Sequence, residues 1–598
     1  MRVLISLFIS ISVISCTPIK TDEVSVQQVE QSQALHEIFE DYFQANLALN
    51  PLEATAIGVT GYDHILGNPF TEEHRERARL LEEEFLMALE TIDESALSEQ
   101  DQLSYQIFKY EREVSVEQLA YPSHLLPLNQ MYNIANQYAQ LGAGSSFHPF
   151  ATVENYSDWL QRMQQIPDVF QQIQMNLAKG IEEDVVMPRV LAERVVTQIE
   201  AHLVESVEDS LFYRPLVAFP DNFDNSVKEQ ITLDYERVIT DEVLPAYQAL
   251  HEYLVSEYLP VTRTDSYGVG SLPGGGDWYA FEVERQTTTQ LTPQEIHEIG
   301  LAEVARIHEE IRAIMSRVGF SGTLDEFFAF TRDDPQFHYE SPEAMLEDYR
   351  AFAKQVESRI DLIFDPEVIP KADYEIRAVE PFRERSASSG SYSVASEDGS
   401  RPGIFYLNTY GLEARPTWAK GALTLHEAIP GHHYQLSIQR ELDNVPRFRR
   451  FSIAVAYAEG WGLYTEQLGS ELGVFEPYDQ YGQLVAELWR AIRLVVDTGL
   501  HEFAWSRQQV LDYMYANAPV KEARAVSEAE RFMALPGQAL AYKIGQLKIL
   551  ELRGYAEQRL GDEFDVRAFH YELLRHGSVP LTILEQIIVD WVETQSSN

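Results

Sequence analysis

The stretch Leu423-Thr-Leu-His426-Glu427-Ala-Ile-Pro430-Gly431-His432-His433-Tyr-Gln435 decides how the rest of the chain is read. It sets a His-Glu pair in an apolar helical run and follows it, within two turns, by two further histidines. From such residues a zinc hydrolase builds its metal site: imidazoles hold the ion, and a carboxylate beside the first of them serves as general base. In the common His-Glu-x-x-His arrangement the two histidines are four residues apart on one helix face. Here His432 and His433 follow His426 at six and seven residues.

On a straight helix six residues turn through about 600°, so His432 would face away from His426; His433 would share its face but lie about 10 Å further along. Two histidine nitrogens on one zinc at ~2.0–2.1 Å are only roughly 3–3.5 Å apart. A regular helix therefore brings neither pair onto one ion. Pro430 removes the amide that the His426 carbonyl would accept from and clashes with it, while Gly431 tolerates a positive φ. A two-residue bulge there would bring the histidine after the glycine to the metal. His432 is the expected second ligand, with His433 as the alternative.

A third ligand is expected from Tyr457-Ala-Glu459-Gly-Trp461-Gly-Leu-Tyr464-Thr-Glu466. A carboxylate in an apolar helix costs several kcal/mol unless it is paired or bound to a metal. Glu459 is that carboxylate. The glycines flanking Trp461 would let another backbone approach closely, and Glu466 reads as the solvent edge of the same helix.

His-Glu-Ala-Ile-Pro-Gly-His-His, Ala-Glu-Gly-Trp-Gly-Leu-Tyr-Thr-Glu, Asp497-Thr-Gly-Leu-His501 and Pro536-Gly-Gln538-Ala-Leu-Ala-Tyr542-Lys-Ile-Gly545 together resemble the domain-of-unknown-function 885 family. These are bacterial, often lipid-anchored proteins regarded as relatives of zinc metallopeptidases. The resemblance spans about residues 30 to 595. It implies a helical peptidase fold similar to the gluzincins, zincins whose third ligand is a glutamate, and it implies no substrate.

Residues 1–15 join a basic Arg2 to a short apolar run ending Val13-Ile-Ser-Cys16. This reads as a lipoprotein signal peptide, too short to span a bilayer as a mature helix, followed by an anchor linker over 16–30. Cys16 is the only cysteine, so disulfides within one chain are excluded and an acylated N-terminus is its expected role. Thr17 is not the aspartate associated with inner-membrane retention, which points to an outer-membrane anchor facing the periplasm. The chain carries 46 basic and 94 acidic residues, a net charge of -48. That argues against nucleic acid or an anionic membrane surface as ligand. It fits a soluble body adapted to salt or cold, or a preference for cationic substrates.

Apolar residues at three- and four-residue spacing predict helices over His36 to Ala48, Glu73 to Leu89, Gln102 to Leu119, Asn155 to Leu177, Leu191 to Ser210 and Val227 to Tyr258. They form an N-terminal helical region over 31–265, one wall of a cleft. The glycine-rich Tyr267 to Asp277 lacks the Lys-Ser/Thr of a phosphate loop and reads as a hinge or substrate-contacting loop. It opens a C-terminal catalytic region over 266–598. Thr292-Pro-Gln-Glu295 carries a capping box at the start of a helix to about Val318, and Ser341-Pro-Glu343 starts another. Strand signals occur only between about 373 and 409, in the alternating Tyr374 to Val379 and in Gly403 to Asn408. Such a small sheet could hold an extended peptide beside the metal, placing Asn408 and Tyr406 near substrate, or be merely structural.

Arg490, Arg493, Asp497 and His501 fall on one helical stripe that could orient ligands or bind a substrate carboxylate. Gln538 and Tyr542 lie one turn apart on another helix. The resulting expectation is a mainly α, metallopeptidase-like fold with a small sheet beside the active-site helix and a deep cleft. It would be a zinc-dependent peptidase-like hydrolase acting on a peptide or small amide. His426, His432 and Glu459 would hold zinc, Glu427 would be the base and Tyr542 the oxyanion donor, with His501 as the alternative donor. Gln538 would help to position substrate. A zinc amidase acting on non-peptide substrates and a metal-free binding lipoprotein are the other function classes that the sequence allows.

Overall fold

The computed structural model describes residues 26–597, apart from 145, 382–383, 385–386, 396–400 and 444. The expected signal peptide and Cys16 lie outside the described residues. The protein is mainly α-helical with one small sheet. Helices Val26–Leu49, Glu72–Leu89, Glu99–Gln118 and Val153–Glu182 form where the apolar spacing places them. The helix expected over Leu191 to Ser210 stops at Glu200, because Ser206 and Ser210 begin short turns of their own and Ser210 Oγ caps the second. The expected long helix to Tyr258 is continuous over 225–258 but contains two π-helical turns, Ile239–Val243 and Leu254–Tyr258. Thr292 and Glu295 close the capping box of helix Pro293–Arg317 reciprocally. Among the described residues no helix is long and apolar enough to cross a membrane.

Two large apolar clusters make up most of the interior. One gathers Phe39, Phe108, Tyr349, Phe405 and Trp461; the other gathers Trp159, Phe170, Ile307, Leu488 and Phe532. Each draws on residues from both sides of position 265.

The sheet has the order β1-β3-β2, with β1 Tyr374–Ala378, β2 Gly390–Ser393 and β3 Gly403–Leu407. β1 runs parallel and β2 antiparallel to β3, and Phe405 faces Ile376 on one side and Tyr392 on the other. The near-continuous apolar run of β3 suits a middle strand buried on both faces. β2 was not expected: Gly-Ser-Tyr-Ser has no alternation and a single strong strand former. This strand forms the sheet edge beside helix Lys420–Glu427, close enough that a Cβ on Gly390 would stand 3.3 Å from Glu427 Cγ.

The sheet order corrects the reading of Asn408 and Tyr406. β3 spends its backbone groups on two neighbours, so neither residue belongs to an edge that could take a peptide. Asn408 is fully buried; its Nδ2 donates to the carbonyls of Glu384 and Ala387, and its Oδ1 accepts from the Tyr410 amide. That pattern builds a turn. Tyr406 stands between Arg377 and Ser391 in the strand register.

The glycine-rich segment is also corrected. It packs as a short turn, Val269–Ser271, before helix Gly275–Thr287, with the Val269 amide donating to His501 Nδ1 at 2.9 Å and Arg263 donating to the Gly268 carbonyl at 2.8 Å. Gly268 and Gly270 serve close packing against Leu500 and His501, where a Cβ would collide with their backbone.

Candidate metal centre

Helix Lys420–Glu427 ends at the glutamate instead of bulging and continuing. Ala428 to Gly431 form a link, and a new helix, His432–Arg440, begins at the next residue. Pro430 accounts for the break because it cannot donate to the His426 carbonyl. Gly431 is required for a reason different from the one expected: its φ is -70°, and a Cβ there would lie 1.9 Å from the His426 carbonyl oxygen. The indole of Trp461 fastens the link, its Nε1 donating to the carbonyls of Pro430 at 2.9 Å and Gly431 at 3.3 Å.

This break brings His426 and His432 to one place, with ring centroids 4.8 Å apart. Helix Val455–Glu471 supplies Glu459, whose Oε2 lies 3.4 Å from His426 Nε2 and 3.6 Å from His432 Nε2. Ligand atoms of the three residues all fall within 4.8 Å of one another. The carboxylate-to-imidazole spacings match those of atoms sharing one zinc. Glu459 Oε2 is buried and makes no hydrogen bond, as a carboxylate oxygen aimed at a cation would be. Two imidazoles and a carboxylate are a fitting donor set for zinc. His432 and Glu459 are more exposed than His426, 14% and 22% against 5%, so the open side of the cluster is theirs.

Packing holds His426 from two sides. Gly462 lies beneath it, where a Cβ would come within 2.7 Å of its Cε1. Its Nδ1 hydrogen-bonds Glu466 Oε1 at 2.9 Å, leaving Nε2 to face Glu459. A carboxylate on the second ring nitrogen fixes tautomer and orientation, as at many histidine metal sites. Glu466 therefore does not lie at a solvent edge; it is 1% exposed, and Arg490 stands 3.4 Å from its Oε1. The seven-residue separation of Glu459 and Glu466 was the available signal, since it puts them on one helix face two turns apart.

Burial disfavours a charged His426, but Glu459, Glu466 and Glu427 outweigh it and hold its pKa up to about 10. Burial also works against ionised Glu459, yet the two imidazoles keep its pKa well below the usual range. Glu427 behaves differently: burial raises its pKa, and the charges of His426 and His432 offset this only in part. His433 points to the sheet instead. Its Nδ1 accepts from Tyr392 Oη at 2.8 Å, its ring packs on Tyr374, and burial lowers its pKa to about 4.

The stripe on helix Pro477–His501 faces inward but serves three places. Arg490 reaches Glu466, Arg493 pairs with Glu528, and Asp497 accepts from Tyr279 Oη at 2.7 Å and the Gly537 amide at 3.1 Å. His501 is corrected from substrate contact to scaffold. It is buried between the Val269 amide and the Phe532 carbonyl and stacked on Tyr279. Tyr542 is half-buried beside two of these arginines, with Arg493 4.7 Å and Arg490 5.9 Å from its ring centroid. Gln538 accepts from Arg531 at 2.6 Å, which ties it to the arginines and not to a ligand.

Solved structures resemble most of the chain. The crystal structure of a candidate lipoprotein from Colwellia psychrerythraea is 27% identical, with a TM-score of 0.86, covering 94% of this chain and 99% of that one. A candidate lipoprotein of unknown function from Shewanella oneidensis, 18% identical, has a TM-score of 0.73 over 93% of this chain and 99% of its own; it shows the shared fold. A search of curated proteins returned no match. The family model of bacterial proteins of unknown function DUF885 matches residues 51–588, carrying the His-Glu-x-x-Pro-Gly-His string with it, and the chain belongs to that family.

Proposed function

We propose that this protein is a zinc-dependent hydrolase of peptide or amide bonds, held to the bacterial cell envelope by a lipid on Cys16. One observation carries the reading: a broken helix brings His426 and His432 onto the same oxygen of Glu459, at 3.4 and 3.6 Å, and a buried carboxylate orients the first imidazole from behind. A salt-bridge cluster serving stability alone would not need the Glu459 oxygen left without a hydrogen bond, nor a side open to solvent.

A zinc ion held by these three residues would supply Lewis acidity, acidifying water and polarising a carbonyl. Glu427 follows His426 directly and is the proton acceptor for the attacking water. Its burial favours proton uptake, which suits a base that must take a proton and then pass it to the leaving amine. We take Tyr542 as the donor to the developing oxyanion, a role supported by its ring standing beside Arg490, which reaches Glu466. The lipid anchor draws support from the Val-Ile-Ser-Cys16 sequence and from the two lipoprotein-like relatives.

Metal content of the purified protein tests the reading. About one zinc per chain is expected, lost in His426→Ala and Glu459→Ala, with His432→Ala losing more than His433→Ala. Full zinc in the first two variants would overturn the ligand assignment. Hydrolysis of acylated amino acids without hydrolysis of peptides would narrow the activity to an amidase.

A further inference from the structure

In a chain with twice as many acidic as basic residues, five arginines crowd one place: Arg415, Arg490, Arg493, Arg524 and Arg531. Glu528 pairs with Arg493 at 2.9 Å and Arg531 at 3.2 Å, and Glu466 meets Arg490. Glu413 adds a third negative charge near Arg415, at an exposed position. The excess positive charge surrounds a cavity of about 170 Å3 lined by Arg415, Arg490, Arg524, Trp418, Trp489 and Tyr349.

Three features show donors left over in it. Arg415 gives one nitrogen to Ser389 Oγ at 2.6 Å, but its Nε is buried without a partner. Arg490 Nε is likewise buried and unpartnered. The Arg524 guanidinium lies over the Trp489 ring at 4.8 Å, and its side chain makes no hydrogen bond among the described residues. The surrounding protein pushes Arg524 down to about 10, against Glu528 and with help from Arg493, Arg490 and Arg415, yet its side chain is reached by solvent. An exposed guanidinium crowded by other arginines is open to an anionic ligand. Leaving buried guanidinium donors unpaired is costly, and a carboxylate satisfies them bidentately.

The cavity adjoins the metal centre. Glu466, whose Oε1 hydrogen-bonds His426, is one of its walls, and Ala422 and Leu423 come from the helix that ends in Glu427. It is smaller than the roughly 300–1,000 Å3 of pockets for drug-sized ligands, so it suits the end of a molecule, not an extended chain. We propose that this arginine-lined cavity is a carboxylate subsite, in which Arg415, Arg490 and Arg524 receive a free carboxylate of the substrate while Trp418 and Trp489 flank its apolar part. Calling the ligand a substrate rests on the hydrolase reading. The consequence is a preference for cleavage next to a residue bearing a free acid, as in the last residue of a peptide or an N-acylated amino acid.

Binding in solution tests the subsite separately from catalysis. N-acetyl-leucine and N-acetyl-leucinamide are titrated calorimetrically into full-length Glu427→Gln protein. The acid should bind about tenfold or more tightly than the amide, the size of one charge-assisted hydrogen bond. Arg524→Gln and Arg415→Gln should each remove most of that preference, and Arg524→Lys should restore part of it. N-acetyl-glutamine against the α-amide of N-acetyl-glutamic acid shows whether a terminal or a side-chain carboxylate occupies the cavity, and either answer keeps the subsite. Equal binding of acid and amide overturns it, as does an undiminished preference in both glutamine variants. Failure of the wild-type protein to hydrolyse any peptide or acyl amino acid, with the acid preference intact, would overturn the hydrolase reading alone.

Discussion

At the scale of single residues, Glu427 and Tyr542 separate chemistry from structure. Glu427 is next to a candidate ligand but is not one of the three residues whose atoms converge, so Glu427→Gln should keep zinc and fold while losing about 10²–10⁴-fold in turnover. Elemental analysis alongside a peptide-cleavage assay checks both halves; loss of zinc would make Glu427 a ligand. Tyr542→Phe keeps the ring that packs against Arg493 and removes only the hydroxyl. A drop of about 10²–10³-fold in kcat with nearly unchanged KM is expected of a lost oxyanion donor. An unchanged kcat would reduce Tyr542 to packing for the arginines, because His501, the other candidate, is committed to two backbone groups in the interior.

At the scale of elements, Asp497 ties helix Pro477–His501 to helix Gly275–Thr287 and to the turn at Gly537 through one oxygen, which accepts from Tyr279 Oη and the Gly537 amide, while its Oδ2 is buried without a partner. Burial raises its pKa to about 7, more than these two bonds lower it. The folded protein therefore binds a proton between about pH 4 and 7 that the unfolded chain has released, so this group makes stability fall as pH rises through that window. The slope is at most ~1.4 kcal/mol per pH unit. Asp497→Asn keeps the accepting oxygen and removes the titration. Its chemical denaturation midpoints should be flatter than wild type across pH 4 to 7, and an identical slope would show that Asp497 is not the group responsible.

At the scale of the whole molecule, the net charge of -48 and the arginine cavity belong together: a surface this acidic repels anionic ligands at long range, while the interior receives them at short range. With a Debye length of only about 8 Å at physiological salt, the repulsion is largely screened before a ligand reaches the cleft. Anchoring acts on the same scale. Cys16→Ser should move the protein from the membrane fraction to the soluble fraction and abolish lipid labelling. Membrane retention without acylation would assign attachment to another part of the chain.

The sequence alone determined the helical class, most helix starts, two of the three strands, and His426 and Glu459 with one of the two histidines after Gly431 as a candidate set, because local periodicity, caps and the Pro430-Gly431 break act within a few residues. It left His432 and His433 undecided, since one residue of phase depends on how the link is folded. Trp461 and the sheet settle that phase in the structure, turning His432 to Glu459 and His433 to Tyr392. Strand β2 carries no local signal, and without it Asn408 and Tyr406 read as an edge that is in fact the sheet's centre. Glu466 read as exposed because a helix pattern reports the average face, not the one histidine packed against it from 40 residues away. The arginine cavity draws on residues from 345 to 524, its arginines from 415 to 524, and only tertiary packing brings such distant charges together. Sequence spacing measures proximity along the chain, whereas burial and unpaired donors arise from proximity in space.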